Sequence, residues 1–151
     1  MKIKECIIAL DGIDKTGKDT IKRELIKKSN GKILILNRAF ISQIAYNRIY
    51  NRNIHETFFF ENIEKYANLG MMFFYLKSDK DILKKRFIQH NEKDLNIEDI
   101  VYHQNVFEQV IKDINKKYKN IIINKINTTE FDIDFCTTLI LNLIVLNQKR
   151  K

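Results

Sequence analysis

The chain has 151 residues, 44% hydrophobic and 30% charged, enough to bury one core and to fold as a single domain over 1–151. Its two cysteines, Cys6 and Cys136, are too few for a disulfide scaffold or a four-thiolate metal site. No run approaches ~18 apolar residues, so the expectation is a cytoplasmic protein outside the membrane. Lys and Arg total 27 against 19 Asp and Glu, a net charge of +8, which favours polyanionic partners such as nucleotides or nucleic acid.

In chain order, Cys6–Leu10 is a short β-branched run that reads as a strand. It leads into a loop holding Gly12 and Gly17, and then into a helical pattern at Ile21, Leu25 and Ile26. Ser29-Asn30-Gly31 stops that helix, and Lys32–Leu36 reads as a second buried strand ending at Asn37-Arg38. Apolar positions from Ala39 to Ile54 recur at helical spacing, and a further helix covers about Glu56 to Asn68. Met72–Leu76 is the third strand, and Asp79 is placed to cap a helix containing Ile82, Leu83 and Phe87. The polar stretch from His90 to Asn96 reads as a mobile loop, followed by a helix from about Ile97 to Lys117. Ile121–Ile123 is expected as a fourth strand and Phe131–Leu146 as the terminal helix, with Gln148 to Lys151 a solvated basic tail. Apolar strands alternating with helices predict an α/β fold: a short parallel sheet of about four strands, covered by helices on both faces.

The loop Gly12-Ile13-Asp14-Lys15-Thr16-Gly17-Lys18-Asp19-Thr20 fits G-x-x-x-x-G-K and then departs from the usual Ser or Thr, because Asp19 takes that place. The glycines let backbone N–H groups converge on phosphate oxygens, the following helix presents its positive end, and Lys18 reaches the β- and γ-phosphates. All nine residues are therefore expected around a bound phosphate chain, which the resemblance given next makes that of ATP. Asp19 has three readings: a direct Mg²⁺ ligand, a charge that repels the triphosphate, or an acidic residue favourable in a first helical turn.

Two motifs together resemble the thymidylate kinases and the wider deoxynucleoside monophosphate kinases. One is Asp11–Lys18. The other is Asn37-Arg38-Ala39-Phe40-Ile41-Ser42-Gln43-Ile44-Ala45-Tyr46-Asn47, similar to the family's D-R-x-x-x-S-x-x-A-Y-Q. A third, weaker likeness runs through Tyr75-Leu76, Asp79 and Lys85-Arg86. The resemblance implies a P-loop NTPase-type three-layer fold, phosphoryl transfer from ATP with Mg²⁺ to a dTMP-like deoxynucleoside monophosphate, and a homodimer through helices around Phe40 to Phe60. It implies that Lys18 neutralises the transferring phosphate, Arg38 clamps the acceptor phosphate and Lys15 acts as an internal transition-state cation. Asp14 resembles the carboxylate that meets the 3′-hydroxyl, Gln43 would read the base edge, and Tyr46 would fill the space of a 2′-hydroxyl. Ser42 and Asn47 are grouped with Gln43 and Tyr46 by helical spacing.

The departures from that pattern are specific. Asn37 stands where the family has Asp, and an exchange is one account, with Asp19 supplying the negative charge missing at Asn37. The segment carrying the family's Arg-Glu-Pro motif is absent, and with it the base-contacting Arg and stacking aromatic. Phe58-Phe59-Phe60 offers either a substitute surface or core and interface packing. His55, His90 and His103 have no metal-like spacing and read as structural or surface residues. The alternatives to a nucleotide kinase are a kinase acting on a modified base or on nucleic acid, and a nucleotide-binding protein with impaired catalysis.

Overall fold

The structure is a computed structural model and describes residues 2–13, 16–89, 96–130 and 132–151. Four strands, β1 (Cys6–Asp11), β2 (Ile33–Asn37), β3 (Met72–Lys77) and β4 (Ile123–Asn127), form one sheet in the order β2-β1-β3-β4. All pairings are parallel, with Leu10 opposite Asn37 and Asp11 opposite Tyr75. Between them run α1 (Lys18–Lys28), α2 (Phe40–Ile49), α3 (Glu56–Asn68), α4 (Lys80–Gln89) and α5 (Ile97–Lys117), and α6 (Ile133–Lys149) follows β4.

Successive strand side chains point to opposite faces, so the sheet divides the apolar residues into two cores. Ile8, Leu10, Phe74 and Leu76 meet α1 through Ile21 and Leu25, and α6 through Cys136, Ile140 and Ile144. Ala9, Phe73 and Tyr75 meet α2, α3 and α5 through Ile41, Ile44, Ile63, Phe107, Val110 and Ile111. This is the expected three-layer α/β arrangement, with helices on both faces.

Five expectations shift. The helix expected to Ile54 stops at Ile49, because Asn51 and Asn53 adopt left-handed backbone angles (φ 49° and 57°) that end the helical path. The fourth strand is Ile123–Asn127 rather than Ile121–Ile123. Its register on β3 starts at Phe73 opposite Ile123, while Ile122 lies 71% exposed ahead of it. The second strand is only half buried: it is a sheet edge, with Ile33 and Ile35 inside and Leu34 and Leu36 exposed. The terminal helix starts at Ile133, where the Asp132 carboxylate accepts from Phe135 N–H at 2.7 Å. Nor is the basic tail all solvated, since Gln148 bonds the backbone of Lys4 through both its amide oxygen (3.0 Å) and its amide nitrogen (2.9 Å). Of the polar stretch expected as a loop, residues 90–95 lie outside the described residues, and Asn96 caps α5 by accepting from Asp99 N–H at 2.8 Å. Among the described residues, no helix is long and apolar enough to cross a membrane.

Candidate active site

In this sheet β1 is central, and the chain leaves it for β2 on one side and for β3 on the other. The crevice beyond the carboxyl ends of such strands is where ligands bind in open parallel sheets. The glycine loop sits there. A Cβ on Gly12 would stand 2.7 Å from the Leu76 carbonyl oxygen of β3, so only glycine lets the loop cross so close to the neighbouring strand. Ile13 is buried beneath the loop, and Thr16 is pinned by its hydroxyl to the Ile13 carbonyl at 2.8 Å. Gly17 takes a left-handed angle (φ 85°) at the start of α1, whose first-turn N–H groups precede any partner within the helix. Lys18 is buried and donates from Nζ to the Gly12 carbonyl at 3.0 Å, folded across the loop it would serve.

Asp11, quoted above only as a motif residue, is the most constrained charge of the site. Fully buried at the end of β1, its Oδ1 accepts from both the backbone N–H and the hydroxyl of Ser42 (3.1 and 2.5 Å). Oδ2 has no hydrogen-bond partner among the described residues. Burial pushes this carboxyl up to about 6, against the Ser42 hydrogen bonds and the Lys18 charge that hold it down. Ser42, expected at the acceptor, is therefore buried against Asp11 and ties the start of α2 to β1.

Asp19 and Thr20 are exposed on the first turn of α1, and Asn37 Nδ2 approaches Asp19 Oδ1 at 3.5 Å. Asp19 and Asn37, each a departure from the motif it stands in, are thus neighbours in space. The Asn37 side-chain oxygen is buried with no hydrogen-bond partner among the described residues. One carboxylate, an amide oxygen and a hydroxyl are all hard oxygen donors, which fits Mg²⁺, an ion that keeps most of its shell as water and phosphate. Among the described residues there is no group of three or more His, Cys, Asp or Glu, the pattern of a dedicated protein cage.

Arg38 follows β2 with a left-handed backbone (φ 57°), its N–H on the Leu10 carbonyl at 3.3 Å. A non-glycine residue in this conformation is held there by its surroundings. It opens onto a cavity of about 250 Å³ lined by Ile13, Arg38, Tyr46, Tyr50, Arg52, Ile100 and His103. Ile13 belongs to the glycine loop, so cavity and loop share a wall. Tyr46 and Tyr50 stack at 5.9 Å between centroids, and His103 stands edge-on to both at 6.1 Å. Larger cavities of about 490 and 420 Å³ share Leu69–Met72 and Lys151 and lie away from the loop.

Of the residues expected at an acceptor, the structure gathers Arg38 and Tyr46. Gln43 is exposed and does not line the cavity. Asn47 is buried, its amide bonding the N–H (3.2 Å) and carbonyl (2.9 Å) of Ile54. Asp14 and Lys15 lie outside the described residues. Sequence reasoning missed Tyr50, Arg52 and His103. Tyr50 is one helical turn from Tyr46, which was legible; His103 comes from α5, and no local pattern brings it here. Arg86 donates to the Ser78 hydroxyl at 2.9 Å just beyond β3.

No family model matches the chain, and no curated protein does so either. Among the solved structures that resemble it, two do so over nearly its whole length. The YorR protein of Bacillus subtilis, solved in complex with phosphorylated GDP, aligns with a TM-score of 0.75 at 17% identity, covering 95% of this chain and 98% of its own. Deoxyadenosine kinase from M. mycoides, with bound dCTP, aligns with a TM-score of 0.57 at 16% identity, covering 92% and 98%. The chain shares their α/β architecture, a four-strand parallel sheet flanked by helices in a P-loop-type fold. The glycine motif begins at Gly12, directly after β1, and runs into the first turn of α1, the strand-to-helix place that such a motif requires.

Proposed function

We propose that the chain transfers the γ-phosphoryl group of ATP to a dTMP-like deoxynucleoside monophosphate, with Mg²⁺, as a homodimer through α2 and α3. The observation that carries this is the shared wall at Ile13, which sets a basic, aromatic cavity directly against the P-loop. The neighbours of the same architecture, one solved with phosphorylated GDP and one a deoxyadenosine kinase, support a nucleotide substrate.

Each residue then has a task that the chemistry demands. The loop amides and the first turn of α1 take the β- and γ-phosphates of ATP. Lys18 exchanges its bond to the Gly12 carbonyl for one to phosphate, so the cation is already within reach of the transferred group. Arg38 holds the acceptor phosphate by its guanidinium fork. An acceptor oxygen forms a bond to the γ-phosphorus as the bond to the β–γ bridging oxygen breaks, and positioning plus charge neutralisation supply most of the rate. Bound Mg²⁺ would neutralise phosphate charge, with Asp19 and Asn37 as the residues to hold it. Tyr46 forms the wall that a 2′-hydroxyl would strike. Lys15 and Asp14 keep their proposed roles as transition-state cation and 3′-hydroxyl contact.

The test is ATP turnover with the four deoxynucleoside monophosphates, alongside Lys18→Ala and Arg38→Ala. Turnover with at least one, falling by about 10²-fold or more in each variant, is the expected result. Turnover with an oligonucleotide alone would replace the acceptor class. Nucleotide binding without transfer would favour the second reading, a binding protein, for which the carboxylate of Asp19 beside the P-loop is the specific argument.

A further inference from the structure

We infer that Arg52, on the turn between α2 and α3, reads the edge of the acceptor's base, and that Tyr50 and His103 enclose that base. This rests on the proposed acceptor site and adds to it the part that selects the base. Arg52 is exposed on its side chain yet fixed on its backbone. Its N–H donates to the Asn47 carbonyl at 3.1 Å, and the residues on either side, Asn51 and Asn53, both hold left-handed angles. The buried Asn47 amide closes the turn by bonding both backbone groups of Ile54. These bonds hold the Arg52 backbone in place at the rim of the cavity that its side chain lines.

That cavity lies beside the P-loop. The Arg52 guanidinium lies 5.2 Å from the centroid of the Tyr50 ring, and both line the cavity with His103. At about 250 Å³ the space falls below the usual ~300–1,000 Å³ of larger ligand pockets, which suits a base with its sugar. Tyr50 stacks on Tyr46, and His103 stands edge-on to both, so two walls of the space are aromatic. A planar base gains most from such walls. Guanidinium is a donor in all five of its N–H groups, so it pairs with base edges that present carbonyl oxygens and meets amino groups poorly. The acceptor is therefore a keto-type nucleotide, carrying thymine, uracil or guanine, in preference to adenine or cytosine.

Equilibrium titration of the full chain with dTMP, dGMP, dAMP and dCMP tests this, using wild type, Arg52→Met and Arg52→Lys. The wild type is expected to prefer dTMP or dGMP. Arg52→Met should weaken that preferred ligand by roughly tenfold and dAMP and dCMP by less than about threefold. Arg52→Lys, which keeps the charge and loses the fork, should behave like Arg52→Met. Equal weakening of all four ligands would make Arg52 a phosphate contact and overturn the inference. So would no weakening, or a wild type that binds these nucleotides without keto preference, and each of these leaves the kinase reading standing. A wild type that binds ATP and none of the four would overturn both. Circular dichroism and melting temperature confirm that each variant is folded.

Discussion

At the scale of single residues, the burial of Asp11 is the sharpest cost in the site. Its carboxyl is held at about 6 in the folded chain against an ordinary value near 4 when unfolded. Between these two pH values the folded chain keeps a proton that the unfolded chain has released. Stability therefore falls as pH rises through about 4 to 6, by up to about 3 kcal/mol. Asp11→Asn, which retains an oxygen for Ser42, should remove this dependence. Denaturant melts of both proteins at pH 4.5 and 7.5 measure it, and an unchanged slope with pH in the variant would show that another group is responsible. Asp11 was legible in the sequence as a motif letter; its partnership with Ser42 was not, because 31 positions separate them and only the parallel packing of α2 against the end of β1 brings them within 2.5 Å.

Elements meet in pairs here, and the pairs bring distant motif positions together. The first turn of α1 and the end of β2 carry Asp19 and Asn37, which touch at 3.5 Å, so a negative charge removed from β2 has a neighbour on α1 to supply it. If the two changes compensate, Asp19→Ser and Asn37→Asp should each lower turnover about tenfold, and the double variant should recover most of the loss. Additive losses in the double variant would rule compensation out. The contact between α2 and α5 is as consequential. Phe107 of α5 is fully buried, edge-on to Tyr46 at 5.5 Å and stacked on Tyr75 at 6.1 Å. Phe107→Ala should cost about 3–5 kcal/mol in a denaturant melt and loosen the Tyr46 wall with it. A loss below about 1 kcal/mol would mean that the wall stands without Phe107. Arg48 of α2 reinforces the same junction, its guanidinium bonding Glu56 of α3 and Asp113 of α5. Those carboxylates raise its pKa against the opposing effect of burial.

For the whole molecule, the run Phe58-Phe59-Phe60 divides by helical geometry: Phe59 and Phe60 enter the core, while Phe58 on α3 stays 62% exposed. The proposed pairing of two copies would cover it. Light scattering should then give twice 18.1 kDa, and Phe58→Asp should return the mass to that of one chain; a monomeric wild type would sink the pairing. The ends of the chain are tied as well, with Gln148 on Lys4 and Lys28 on Asp134, so α6 braces both the amino-terminal segment and α1.

By itself the sequence determined the order of strands and helices and the place of the glycine motif and of Arg38 at strand ends, because each depends on neighbours a few residues away: apolar period, glycine, and a cation at fixed spacing. It also delimited α3 and α5 to the residue, since strong periodicity and clear stop signals bracket both. Only the tertiary structure decided which side chains share a space. It turned Ser42 and Asn47 from presumed acceptor contacts into braces, joined Asp19 to Asn37, and closed a cavity with Tyr50, Arg52 and His103. Those outcomes follow from how helices cross a twisted sheet, where a small change in crossing sets which face of a residue meets a ligand, and no local spacing encodes that.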